Sequence, residues 1–143
     1  MSSLPSLAVL GGGSLLHRVG REVVNATDHG LRAFGLTSQQ ASLLMNLAAG
    51  PRTPTELIDV LGTDTAAVTR LVDRVEAAGL VRRERHPSDR RSVTVELTDE
   101  GRALLPRIAP VFGGVTERLF AGFTEAEVAT VSTLLQRMLA NLG

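Results

Sequence analysis

The chain has 143 residues, 43% hydrophobic and 21% charged, enough for one packed domain, too short for an added catalytic module, and unlike a disordered or fibrous polypeptide. It contains no cysteine, which removes disulfides, thiolate zinc sites, cysteine nucleophiles and thiol-based redox sensing together. Fifteen basic residues balance fifteen acidic ones, so overall basicity gives no pointer to nucleic acid and only the distribution of charge can.

Residues 1–13 hold Ser, Pro and a Gly triplet and read as a flexible lead. The apolar stretch Leu7 to Leu10 has no basic region before it and is broken by Gly11, so neither a signal peptide nor a membrane span is expected, and the chain reads as cytoplasmic. From Ser14, the positions Leu15, Leu16, Val19, Val23 and Val24 recur at helical spacing, predicting a first helix that ends near Ala33 or Phe34 before Gly35. Three further helix starts carry a Thr with a Glu or Gln three residues on: Thr37 with Gln40, Thr53 with Glu56, and Thr124 with Glu127. In each, the hydroxyl can accept from the N3 amide while the N3 side chain reaches back. These predict helices near 38–49, 54–61 and 125–141, the second helped by Pro54 at N1.

The helix 54–61 stops at Gly62, which suits a left-handed C-terminal position, and Asp64 can cap a new helix over about 65–78. That is a helix-turn-helix. In the new helix Val68, Leu71, Val72 and Val75 form an apolar stripe, and Thr65, Ala66, Thr69, Arg70, Asp73 and Arg74 face away from it. Strand-like runs follow at Leu80 to His86 and Ser92 to Leu97, with Pro87, Ser88 and Asp89 as the turn, forming a hairpin of the kind called a wing. Thr98 with Asp99 and Glu100 opens a helix to about Ala121. Pro106, Pro110, Gly113 and Gly114 oppose a continuous helix there, each Pro by about 3 kcal/mol, so a bent or interrupted helix is expected. The predicted class is mainly α with a small β-hairpin (α+β), a winged helix-turn-helix.

Chemistry concentrates in two places. The segment 82–91 has five Arg (82, 83, 85, 90, 91) against Glu84 and Asp89, on a hairpin tip that could enter a minor groove, where Arg is favoured. On the exposed helix face Arg70 and Arg74 lie one turn apart, a mutually repulsive pair that DNA phosphates or guanine edges would relieve. The alternative is that Asp73 pairs with Arg70 and Arg74 simply faces water. Catalysis finds no support: His17, His29 and His86 are far apart, no nucleophile elbow or phosphate-cradling loop is present, and His17 and His29 would sit about 18 Å apart along one helix, too far to share a metal. No cofactor or metal is expected.

The run Leu57 to Leu61, Gly62, Val68-Thr69-Arg70-Leu71-Val72-Asp73-Arg74, Glu76, Gly79-Leu80-Val81, then Asp89-Arg90-Arg91, Val95, Leu97-Thr98 and Gly101 closely resembles the MarR family of transcription regulators. The Asp-x-Arg wing followed by Leu-Thr-x-x-Gly is its most specific part, and the likeness spans about residues 14–142. The resemblance implies a homodimer in which 14–36 and 99–143 form the dimerisation helices and 37–98 the DNA-binding lobe, two such lobes reaching adjacent major grooves of double-stranded DNA. It places Thr65, Ala66, Thr69, Arg70 and Arg74 on the DNA-reading helix. Arg91, with Arg90 and oriented by Asp89, falls in the minor groove, and Thr37, Gln39 and Thr53 lie where helix starts approach phosphates, unless these serve only as caps. It also implies a ligand-responsive repressor with a small-molecule effector such as an aromatic acid, for which His17 and Arg21 are candidate contacts. The prolines at 106 and 110 depart from a continuous stalk helix. A winged-helix module that binds protein instead of DNA is the competing expectation.

Overall fold

The structure, a computed structural model, describes residues 14–86 and 88–143, and for residues 89–91 the backbone alone. The expected lead at 1–13 and the side chains of Asp89, Arg90 and Arg91 lie outside the described residues. The first helix, α1 (Leu15–Leu31), runs into a 3-10 turn, Arg32–Phe34, that closes at Gly35 with φ of 67°. Its end is fixed by the fully buried Leu31.

Helix α2 (Ser38–Asn46) starts on a complete Thr37–Gln40 capping box. It ends short of the expected residue 49 because Leu47 and Ala48 bond to the carbonyls three residues back, tightening the last turn around buried Leu47. Helix α3 (Pro54–Leu61) has the expected bounds, and Gly62 takes the left-handed conformation (φ 62°, ψ 43°) that turns the chain into α4 (Thr65–Ala77). Asp64 Oδ1 accepts from the Ala67 amide at 2.8 Å and so caps α4. Val68, Val72 and Val75 are buried and Leu71 half-buried, the predicted stripe.

The hairpin pairs β1 (Val81–His86) with β2 (Asp89–Leu97), antiparallel, from Val81 opposite Leu97 to Arg85 opposite Val93. Strand β2 begins three residues before the expected Ser92, because the register slips beyond Arg85 and His86 pairs with Asp89. The connection is correspondingly shorter than the three-residue turn expected. A third backbone segment joins the sheet: Arg52 and Val95 exchange both amide bonds, at 3.0 and 2.8 Å, so the residue before the α3 cap is tied to the wing.

Of the bent or interrupted helix expected, the interruption does not occur: α5 (Asp99–Leu119) runs through Pro106 and Pro110. The two prolines are four apart, on one face, and both are exposed. The carbonyls of Arg102 and Pro106, which lose their amide donors, therefore belong to exposed residues where water can replace them. The opposite face is held by Ile108, fully buried, and a few kcal/mol of packing there offsets the local penalty. Helix α6 (Glu125–Leu142) follows on a complete Thr124–Glu127 box.

The core fills the lobe: Leu43, Leu44, Leu47, Leu57, Val68 and Val95 are almost wholly buried, joined by Leu31 from α1 and Ile108 from α5. Helix α6 buries none of its residues, and Leu134, Leu135, Met138 and Leu139 lie exposed along it.

Candidate nucleic-acid interface

Helix α4 presents Thr65, Ala66, Thr69, Arg70, Asp73 and Arg74 to solvent. The Thr69 hydroxyl donates to the Thr65 carbonyl at 2.9 Å, so its proton is engaged within the helix and its methyl and lone pairs are what it offers outward. Neither Arg70 nor Arg74 forms an ion pair among the described residues. Asp73 lies between them in sequence, yet it does not pair with Arg70. It meets Arg83 of β1 instead, with Asp73 Oδ1 accepting from Arg83 Nη2 at 2.6 Å.

Arg83 is a brace between wing and helix. Its Nη1 donates to Glu76 Oε1 at 2.6 Å and its backbone amide to Glu76 Oε2 at 2.9 Å. Burial works against the Arg83 charge, and the hydrogen bonds to Asp73 and Glu76 overcome it, leaving the guanidinium more basic than usual. Arg82 is likewise occupied, its Nε donating to Glu96 Oε1 at 2.6 Å, with Glu84 more distant at 3.9 Å. The Glu96 hydrogen bond raises its basicity. Of the five hairpin arginines, then, Arg82 and Arg83 are internal ties, Arg85 is exposed and forms no ion pair among the described residues, and the side chains of Arg90 and Arg91 lie outside the described residues. The sequence count of basic residues overstated the free charge of the wing. The His86 ring lies 3.3 Å from the Thr94 hydroxyl across the strands.

The helix starts are satisfied mainly from within. Thr37 Oγ1 accepts from the Gln40 amide at 3.2 Å, and the Thr37 amide donates to Gln40 Oε1 at 3.1 Å. Thr53 Oγ1 accepts from the Glu56 amide at 3.2 Å but donates its own proton to Glu56 Oε1, so only half of the expected box forms there. The Ser38 amide donates to Asp28 Oδ1 of α1 at 2.6 Å, a cap supplied across helices that no local pattern announces. Gln39 is exposed at the start of α2.

Two cavities adjoin these elements. One, of about 390 Å³, lies between α1 and α5, lined by Leu15, Val19, Glu22, Val115 and Leu119 among others. The second, of about 360 Å³, lies between the stalk helices and the lobe, with Val24 and Phe112 on one side and Val60 and Leu71 on the other. His17 and Arg21 line neither; both are exposed on α1. No cluster of three or more metal-ligating side chains occurs among the described residues, and no described helix is long and apolar enough to cross a membrane.

A model of the MarR family matches residues 34–92, the span from the end of α1 into β2. The multiple antibiotic resistance protein MarR of Escherichia coli K12 is 33% identical over 129 residues, covering 89% of this chain and 90% of that protein. This chain belongs to the MarR family. The lobe α2–β2 is accordingly the MarR winged helix-turn-helix, and α1, α5 and α6 are the surrounding MarR helices. Among solved MarR structures, a mutant E. coli MarR complexed with operator DNA is similar with a TM-score of 0.83 and 31% identity, covering 97% of this chain and 99% of that one. BpsR of Bordetella bronchiseptica, whose DNA binding is regulated by 6-hydroxynicotinic acid, is similar with a TM-score of 0.81 and 29% identity, covering 90% and 92%.

Proposed function

We propose that the protein is a ligand-responsive repressor that binds a pseudo-palindromic site in double-stranded DNA as a homodimer, with α4 in the major groove and the hairpin reaching the adjacent minor groove. The observation that carries this reading is the exposed pair Arg70 and Arg74, without an ion-pair partner among the described residues while Asp73 between them is held by Arg83. Two like charges one turn apart on a helix repel by a few tenths of a kcal/mol, and a polyanion relieves that repulsion. Thr65, Ala66 and Thr69 beside them leave room for close approach to base edges. Asp89, Arg90 and Arg91 supply the wing contact by the same reading, and Thr37, Gln39 and Thr53 stand where phosphates would pass.

The dimer is supported by α6, which exposes Leu134, Leu135, Met138 and Leu139 and has no fully buried residue in its own protomer, and by the open groove between α1 and α5. Segments 14–36 and 99–143 serve dimerisation and 37–98 DNA binding. No residue grouping suggests turnover, and the protein acts in the cytoplasm, with a small molecule in the stalk–lobe cavity as its signal. A winged-helix module for protein partners would leave Arg70 and Arg74 without a role.

Selection of bound sequences from a random DNA library, followed by footprinting, tests the proposal. Two half-sites about one helical turn apart are expected. Arg70→Ala relaxes base preference at one position, whereas Arg91→Ala weakens binding to all sequences and reduces the salt slope by about one. A single asymmetric footprint, or wild-type binding by both variants, refutes it.

A further inference from the structure

The cavity between stalk and lobe has a chemical character that the family resemblance did not predict. Within one protomer, and among the described residues, neither Arg nor His lines it and no acidic residue does. Its polar groups are hydroxyls and carboxamides only, from Thr27, Ser38, Gln39, Ser42, Asn46 and Thr63, set among valines, leucines and Phe112. Ionisable side chains bonded to lining residues from behind the wall include Asp28, whose Oδ1 takes the Ser38 amide, and Arg52, whose Nε donates to the Asn46 carbonyl at 2.7 Å, and neither lines the space itself. A carboxylate entering this space would lose hydration with no cation in the lining to replace it, since the Arg52 guanidinium is engaged with the Asn46 carbonyl behind the wall, and burying an unpaired charge is far costlier than burying an amide that finds partners.

The hydrogen bonds already made inside the wall narrow the choice further. The Thr27 hydroxyl donates to the Val23 carbonyl at 2.8 Å, and Asn46 Nδ2 donates to the Ser42 carbonyl at 2.9 Å. Thr27 keeps only acceptor capacity, at Oγ1, while Asn46 keeps the acceptor Oδ1 and one N–H. We infer that this cavity selects an uncharged, mostly apolar ligand carrying at least one N–H or O–H donor, and discriminates against organic acids. This deepens the ligand-responsive reading above and rests on it for its regulatory consequence. The volume of about 360 Å³ falls at the small end of ligand pockets, suited to one ring with a short substituent. Val60 and Leu71 on the lobe side and Val24 and Phe112 on the stalk side make a filled cavity a spacer between α4 and α1, so a ligand that prefers one spacing shifts the lobe toward it.

The test uses isosteric pairs that differ in charge: benzamide and benzoate, nicotinamide and nicotinate, cinnamamide and cinnamate. Binding to the full chain is measured by calorimetry without DNA, so the result stands apart from whether the protein reads DNA. The amide members should bind, each at least about tenfold more tightly than its acid. Val60→Phe, which fills the lobe side, should abolish amide binding while the thermal transition persists. Ser42→Arg, which adds a cation to the wall, should shift preference toward the acids. Acids binding as tightly as amides, binding by no amide, or amide binding unaffected in a folded Val60→Phe variant would each overturn the inference. Release of DNA by a bound amide is measured separately. Its absence alongside amide binding would refute ligand-controlled repression and leave the selectivity standing.

Discussion

Replacing Gly101 with Ala sets two effects of opposite sign against each other. Gly101 lies in the first turn of α5, and Ala is favoured over Gly inside a helix by about 1 kcal/mol, so propensity alone predicts a more stable protein. A Cβ at this position would, however, lie 2.0 Å from the Leu80 carbonyl oxygen, 3.0 Å from its carbonyl carbon and 3.2 Å from a Leu97 methyl. The carbonyl cannot retreat freely, because it accepts the Thr98 amide at 3.1 Å while the Leu80 amide is held by Val75 at 2.9 Å. Relief requires a backbone shift of about 1 Å to reach ordinary contact, and overpacking of this kind costs about 1–3 kcal/mol and occasionally more. The 2.0 Å approach to backbone puts that cost at the upper end, about 3 kcal/mol, so sterics win over propensity with a net loss of about 2 kcal/mol. At 2–4 °C per kcal/mol for a chain of this size class, Tm should fall by about 4–8 °C. Thermal unfolding followed by circular dichroism at fixed protein concentration measures it. A Tm equal to or above that of the parent would show that α5 does not pack against the Leu80 backbone as described.

Arg83→Met keeps the aliphatic stem and removes the brace to Asp73 and Glu76; stability should change by about 1 kcal/mol or less, as for other partly exposed pairs, while DNA affinity falls roughly tenfold because wing and helix lose their mutual registration. Equal losses in melting and DNA titration would mean that the brace is only a stabiliser. Asp64→Ala should destabilise by about 1 kcal/mol through loss of the α4 cap, and Asp64→Ser should restore most of it in chemical denaturation. The Thr124 amide, helped by its hydroxyl, holds the Glu127 carboxylate below its ordinary range. Its contribution to α6 is thus present above the unfolded-state value and is lost as pH falls through the lowered one. An NMR titration should place Glu127 below other exposed glutamates, and an unshifted value would refute the closed box.

The elements that could be read from sequence are those whose ends are set by local chemistry. Thr53, Pro54, Gly62 and Asp64 fixed α3 and α4 because each acts within a few residues of itself, and the Val68, Val72, Val75 stripe is likewise local. What escaped depends on contacts between elements. The continuity of α5 through Pro106 and Pro110 follows from which face of the helix meets the core, and a propensity scale has no access to that. Arg83 counted as a free charge because its partners, Asp73 and Glu76, lie on another element across the Gly79 turn, so no periodicity within α4 or β1 announces the pairing. Arg52 reaches Val95 over more than forty residues and left no local trace. His17 and Arg21 came from family analogy, and the α1 residues that line the stalk–lobe cavity are instead Val23, Val24 and Thr27.

Helix α6 has a consequence for how such a regulator counts its own copies. Within the protomer Val128 and Val131 are only half-buried and Leu134, Leu135, Met138 and Leu139 lie exposed, so in the proposed dimer much of the energy that holds α6 in place comes from association, and protomer folding and pairing are linked by mass action. Occupancy of a DNA site would then rise with the square of protomer concentration where monomers dominate. A twofold change in expression would register as nearly fourfold at the promoter, and a repressor acting on its own gene would gain a sharper set-point without any cooperativity between neighbouring sites.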